Sequence, residues 1–217
     1  MKIAIFGASG ATGTLLTHRC LAAGYEVTAL LRTPEKSPLR DRIHVIQGSA
    51  FDPAAVHRTI EGADVVLSAL GANSLGKEDV LERAVPQIIA AMQQTATEPK
   101  AVRRIIVLGS AGALPTSLDK QPFYRRWIVK NIIYKTFLKW PIASQISQWN
   151  DLSRSGLDWT MVMPPMLTNT RARGTYRTDG DALPRNGSRI SREDVADFMM
   201  QQIGNPKWIK KGVYLSW

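Results

Sequence analysis

A doubly wound α/β layer, one parallel sheet with helices on both faces, is the fold the sequence predicts, and two features of residues 1–110 predict it. Short apolar runs alternate with stretches patterned as helices. Strands separated by helices and returning to one sheet require right-handed crossovers, which cover both faces. Lys2–Phe6 is a short apolar run stopped by Gly7, the form of a buried parallel strand. Ala11–Ala23 reads as a helix closed by Gly24, and Glu26–Leu31 and Ile43–Gln47 as the next strands. Pro53 opens a short helix to Ile60 from the favoured first-turn position. Ala63–Leu70 is a fourth strand, Glu78–Thr95 a long helix that Pro86 should kink, and Arg103–Leu108 a fifth strand.

Beyond residue 110 the pattern is less regular. Ile142–Ser155 is a helix ending at Gly156, and Leu157–Met163 a sixth strand stopped by Pro164 and Pro165. Gly174–Thr178 predicts a short strand, and Val213–Trp217 a final strand at the sheet edge. Ser191 with Asp194 makes a capping-box-like start for a helix reaching about Ile203. With no repeat or linker, 1–217 reads as a single domain, in which 114–140 is an insertion or lid and 157–217 completes the substrate pocket.

The 217 residues are 44% hydrophobic and 21% charged, ordinary for a soluble globular chain. No run is long enough to cross a membrane and no secretory h-region is present, so a cytoplasmic setting is expected. The single cysteine, Cys20, falls in a predicted helix and reads as a packed thiol. The formal charge is +10: residues 1–100 carry ten Lys/Arg against ten Asp/Glu, and the remainder eighteen against eight. A basic mouth for an anionic cofactor or substrate fits this excess, and no nucleic-acid motif accompanies it. His18, His44 and His57 lack ligand spacing, so no metal site is expected.

The chemistry concentrates at Gly7-Ala8-Ser9-Gly10-Ala11-Thr12-Gly13, which joins the first strand to the first helix. Gly7 permits the tight turn, Gly10 lets a diphosphate approach the backbone, and Gly13 lets helix pack on strand. Ala11 and Thr12, at the helix start, offer unpaired N–H groups and partial positive charge, and Ser9 adds a hydroxyl. An NAD-preferring site usually has an acid at the end of the second strand. Here that place holds Arg32, with Lys36 after it. A guanidinium pairs with a 2′-phosphate, so NADP(H) is expected over NAD(H) in a Rossmann-type site.

These residues resemble the atypical short-chain dehydrogenase/reductase superfamily over nearly the whole chain. Within it they look like the flavin reductase (biliverdin-IXβ reductase) group, related to NmrA-like proteins. Ile3-Ala4-Ile5-Phe6 with the glycine turn carries the superfamily. The run from Ser155 through Leu157-Asp158-Trp159 to Pro165, then Gly174-Thr175-Tyr176, Ile190-Ser191-Arg192 and Asp194–Met199, carry the subgroup. The resemblance implies that Leu70, Gly71 and Ala72 border the cofactor ribose and that Gly109 and Ser110 lie beside the nicotinamide. It also implies that Pro164, Pro165 and Met166 sit against the nicotinamide side of the pocket, the two prolines binding cofactor and Met166 the substrate. Ser110 is the candidate catalytic side chain.

Many members use Tyr-x-x-x-Lys as an acid–base pair. The corresponding positions here look like Pro141 and Gln145, and neither Tyr124 nor Tyr134 has a lysine four residues later. The group also tends to carry histidine where this chain has Met166, and Gly-Asp where it has Gly48-Ser49. Hydride transfer to a flavin, quinone or similar planar acceptor makes the smallest acid–base demand, and is the leading expectation. A non-catalytic NADP(H) sensor of the NmrA type is the alternative, and an isomerase or epimerase loses ground for want of the pair. The 114–140 segment carries Lys120, Arg125, Arg126, Lys130, Lys135 and Lys139 among aromatic residues. Its basic residues do not collect in one helical sector, which suits a surface-lying membrane helix poorly. Either a lid, with Trp127 against the acceptor, or a helical subdomain that packs its aromatics and solvates its lysines is expected, in a monomer or homodimer.

Overall fold

The computed structural model describes residues 1–71, 76–95 and 101–217, with backbone alone at 135–137. Strands β1 (Lys2–Phe6), β2 (Glu26–Leu31), β3 (His44–Gln47), β4 (Val65–Ser68) and β5 (Arg104–Leu108) alternate with helices α1 (Ala11–Ala22), α2 (Pro53–Ile60) and α3 (Val80–Gln94). Then come α4 (Phe123–Ile128), a π-helical stretch Val129–Phe137, α5 (Lys139–Arg154), β6 (Asp158–Met163), β7 (Met166–Thr168) and β8 (Arg177–Asp179). The chain closes with β9 (Arg189–Ser191), α6 (Arg192–Gln201) and β10 (Lys211–Ser216).

Eight strands form one sheet in the order β3-β2-β1-β4-β5-β6-β10-β8, while β7 and β9 pair separately. All pairings in the main sheet are parallel except β10 with β8. Strand order reverses beside β1, between β2 and β4, and such a reversal opens a crevice at the strand C-termini. Alternation along each strand divides the core in two. Ala4 and Phe6 pack with α2, α3 and α5 through Val56, Val85, Ile88 and Leu152. Ile3 and Ile5 pack on the other face with Leu16 and Cys20 of α1 and Val195 and Met199 of α6. Burial pushes the Cys20 thiol up to about 12, so it stays protonated and unreactive at neutral pH.

The structure bears out the doubly wound architecture, and the strand and helix bounds through residue 110 shift by no more than two residues at either end. Helix α3 continues through Pro86, which is exposed, so the helix is not interrupted there. Two expectations need correction. The last strand is not an edge: β10 lies between β6, with Tyr214 opposite Met163, and β8, with Tyr214 opposite Asp179. Its unbroken burial from Gly212 to Ser216 is that of a central strand. The short strand expected at Gly174–Thr178 instead spans Arg177–Asp179, because the backbone before it is held elsewhere.

That hold is Asp194. Its fully buried carboxylate accepts from Arg173 N at 3.1 Å, Gly174 N at 2.9 Å, Ser191 Oγ at 2.7 Å and Trp217 Nε1 at 2.9 Å. Ser191 Oγ in turn accepts from Asp194 N at 3.0 Å, the N-cap half of the expected capping box. Burial acts to raise the Asp194 pKa, but its donors outweigh burial and hold it below the ordinary carboxylate range. The stability it contributes is therefore present above that range and is lost as pH falls through the lowered value. Asp194→Asn should cost about 2 kcal/mol at neutral pH, and the variant should lose less stability than the parent on acidification. Urea denaturation followed by tryptophan fluorescence at neutral and acid pH measures both.

Candidate nucleotide site at the strand C-termini

The turn after β1 is shaped by two contacts that exclude a side chain. Gly7 has φ +78°, and a Cβ there would lie 2.8 Å from the Ala69 carbonyl carbon at the end of β4. A Cβ on Gly13 would lie 2.0 Å from Gly7 O, so α1 sits directly against the turn. Gly10 N donates to Gly7 O at 3.0 Å, and Thr14 Oγ1 donates to Ala8 O at 3.0 Å. The first helical bond is Thr14 N to Gly10 O at 2.8 Å, which leaves the amides of Ala11, Thr12 and Gly13 without acceptors inside the helix. Gly10 caps the helix without a side-chain bond, and the first turn holds no acid. Ser9, Gly10 and Ala11 are exposed, whereas Thr12 is buried. This donor set fits a diphosphate: the exposed Ser9-Gly10-Ala11 backbone opens a helix whose first amides lack acceptors and whose first turn has no carboxylate to repel it.

Strand β2 leaves the sheet beside this turn, with Leu30 opposite Phe6 and Leu31 O accepting from Gly48 N at 3.0 Å. Arg32 follows, exposed and without an ion pair or hydrogen bond to any described residue. It borders a cavity of about 450 Å³ shared with Phe51, Lys77, Glu78, Asp79 and Val80. Lys36, also exposed, ends the short turn Pro34–Lys36. Phe51 is a residue sequence reasoning missed: its ring lies under the Arg83 guanidinium at 4.0 Å, giving the cavity a flat apolar wall. Its position two residues after Ser49, whose Oγ accepts from Phe51 N at 3.2 Å, was the available signal. A larger depression of about 640 Å³ lies at the opposite ends of β1 and β2, among Lys2, Tyr25, Glu26, Arg42 and Arg58. The strand C-termini, not cavity size, place the site.

The far side of the crevice is built by β5 and β6. Gly109 N donates to Val162 O at 2.7 Å and Ala111 N to Pro164 O at 2.8 Å, clamping the two strand exits together. Ser110 lies between these clamps, its Oγ accepting only a long 3.4 Å bond from Gly112 N. Pro164 is buried, Pro165 half-buried and Met166 62% exposed. Across the turn, Leu70 N would lie 3.0 Å from a Cβ on Gly7, so the chain leaving β4 at Leu70 abuts the glycine turn. Ala72 lies outside the described residues.

Two side chains of the helical segment approach Gly112, in the turn that follows Ser110. A Cβ on Gly112 would lie 2.9 Å from Ile142 and 3.5 Å from Tyr134 Cζ. Burial raises the Tyr134 phenol pKa. Gln148, which the sequence reading did not single out, is fully buried and donates to Leu108 O at 3.2 Å and to Gln145 Oε1 at 3.3 Å. Among the described residues its Oε1 has no partner, so a buried acceptor remains at the end of β5. Trp127 is 53% exposed on α4. Among the described residues no group of three His, Cys, Asp or Glu side chains is arranged to hold a metal ion.

Residues 7–206 match a family described as NAD(P)H-binding, a span that contains every one of these strand exits. The chain belongs to the NAD(P)H-binding family. The Bacillus subtilis protein YwnB is 27% identical over 214 residues, covering 95% of this chain and 94% of its own. A Streptococcus pneumoniae structure, SP1627, named as an NADH-flavin reductase, is 25% identical with TM-score 0.74, covering 100% and 99%. ChuY, an anaerobilin reductase of Escherichia coli O157:H7, has TM-score 0.80 at 18% identity, covering 100% and 97%, and shares the fold. The match bears out the nucleotide-binding part of the resemblance that the glycine turn carries.

A Gly13→Ala substitution should remove nucleotide binding and destabilise the fold by about 3 kcal/mol, since backbone rather than a side-chain tip must move. Thermal denaturation and nucleotide titration test it; a variant that keeps parental stability and affinity would contradict the close packing.

Proposed function

We propose that this chain is an NADPH-dependent reductase that passes hydride to a flavin, quinone or similar conjugated planar acceptor. The observation that carries this reading is the ground between the ends of β5 and β6. It holds one serine hydroxyl, Ser110, two prolines, the exposed thioether of Met166 and the buried amide of Gln148. Those groups suit stacking and orientation better than proton transfer to an alkoxide. The reductases SP1627 and ChuY, which share the fold, support the reaction class.

When bound, NADPH supplies the hydride. In this reading the amides at the start of α1, with Ser9 and Thr12, hold the diphosphate. Arg32, assisted by Lys36, pairs with the 2′-phosphate, and Phe51 offers a face to the adenine. Leu70 and Gly71 border the ribose. Gly109, Pro164 and Pro165 wall the nicotinamide side and keep water from it. Ser110 is the candidate catalytic residue: its O–H is committed to no strong bond and can orient the carboxamide or the acceptor. Met166 gives the acceptor an apolar edge. Tyr134 and Ile142 of the helical segment approach the turn after Ser110, and this reading assigns Trp127 no contact with the acceptor.

Arg32→Ala should weaken NADPH binding by about tenfold or more while leaving NADH binding nearly unchanged. Equal loss for both nucleotides would contradict the phosphate role. NADPH oxidation with a panel of flavins and quinones tests the reaction. Tight NADPH binding with no turnover on any of them would instead support a sensor of nucleotide occupancy.

A further inference from the structure

Between Asp119 and Asp151 the chain has six Lys/Arg and no Asp or Glu. Over the same stretch it leaves large apolar side chains in water: Phe123 is 82% exposed, Tyr124 64% and Trp127 53%, with Ile128, Ile132 and Trp140 also exposed. These residues are not scattered. At about 100° per residue in α4, Phe123, Tyr124, Trp127 and Ile128 span one sector of the helix, and Arg125 and Arg126 lie outside it. The wider π turn that follows returns Ile132 to that sector. Counting the cations alone suggests no amphipathic surface, because they flank the apolar stripe instead of forming a block opposite it.

The cations differ in their commitments. Lys120 pairs with Asp179 at 2.5 Å and Arg126 with Asp119 at 3.5 Å. Arg125 donates to Asn186 at 3.5 Å. Lys130 has no acidic partner among the described residues. Lys139 lies 5.0 Å over the Trp140 ring, and Lys77 joins it at 5.4 Å. An aromatic stripe with uncompensated lysines at its margin matches the two attractions of an anionic lipid surface, apolar insertion below the headgroups and Coulomb attraction at them. A protein partner would need a matching acidic rim around an apolar groove. The lipid surface supplies both without such matching. Among the described residues no helix is long and apolar enough to cross a membrane, so the contact is a surface one.

We propose that the outer face of α4 and the turn after it dock on an anionic phospholipid surface, with Phe123, Tyr124, Trp127, Ile128 and Ile132 entering the interface and Lys130 and Lys139 facing the headgroups. The full chain should sediment with vesicles of equal parts phosphatidylcholine and phosphatidylglycerol, and not with phosphatidylcholine alone. Binding should weaken as salt is raised. Changing Lys130→Gln and Lys139→Gln together should weaken partition about thirty-fold, from about 1 kcal/mol per charge. Phe123→Ser with Trp127→Ser should weaken it about tenfold or more. Circular dichroism of both variants should match the parent, because the substituted side chains are surface ones. A lipid-induced blue shift of tryptophan emission should shrink in Trp127→Phe. Failure to sediment with the mixed vesicles would overturn the proposal, as would equal uptake by neutral vesicles. Lipid-independent self-association abolished by Trp127→Ser would also overturn it, and would assign the face to a second copy of the chain.

Discussion

The site depends on one contact in which nothing larger than hydrogen can stand. Gly13 meets the carbonyl of Gly7 so closely that α1 is seated on the turn below it, and the turn itself is pressed against the end of β4. Helix, turn and neighbouring strand therefore share one position, and the amides that open α1 lie where the first strand leaves the sheet. Strand order reverses at the same place, so the crevice and its anion-binding amides arise from a single piece of packing.

The second half of the chain is held to that frame by a polar knot. Asp194, at the start of α6, gathers a loop, its own N-cap serine and the indole of Trp217 around one buried carboxylate. Arg19 of α1 adds a bond to Asp197 at 2.6 Å, tying α6 to the helix that carries the phosphate turn. Arg104 bridges Asp158 O, Thr160 Oγ1 and Gln202 O at the other end of the strands, and burial lowers its guanidinium to about 10. Such groups are costly to bury and are fully satisfied here, which fixes one arrangement of α6 against the sheet.

Local pattern carried most of the fold. The strand and helix alternation to residue 110 was legible because each element has its own period and its own stop, from Gly7 to Pro53. The C-terminal sheet was less so, since whether Val213-Tyr214-Leu215 is an edge depends on β8 returning beside it, a pairing between separate segments. In the site, the glycine turn and Arg32 are written in consecutive residues with a known mechanism. Phe51 and Gln148 are not: each matters through a neighbour distant in sequence, Arg83 for one and Leu108 for the other. The cation pattern of 120–139 pointed away from an interaction surface, whereas the aromatic pattern, read with the π turn, points to one.

The lone thiol has a practical corollary. Cys20 is sealed between α1 and the sheet and stays protonated well above neutral pH, so it is inert towards thiol-directed reagents while the protein is folded. A cysteine introduced on the surface would then be the sole position to accept a fluorophore or spin label. The native residue need not be removed first, and the same chain can report from whichever face is chosen.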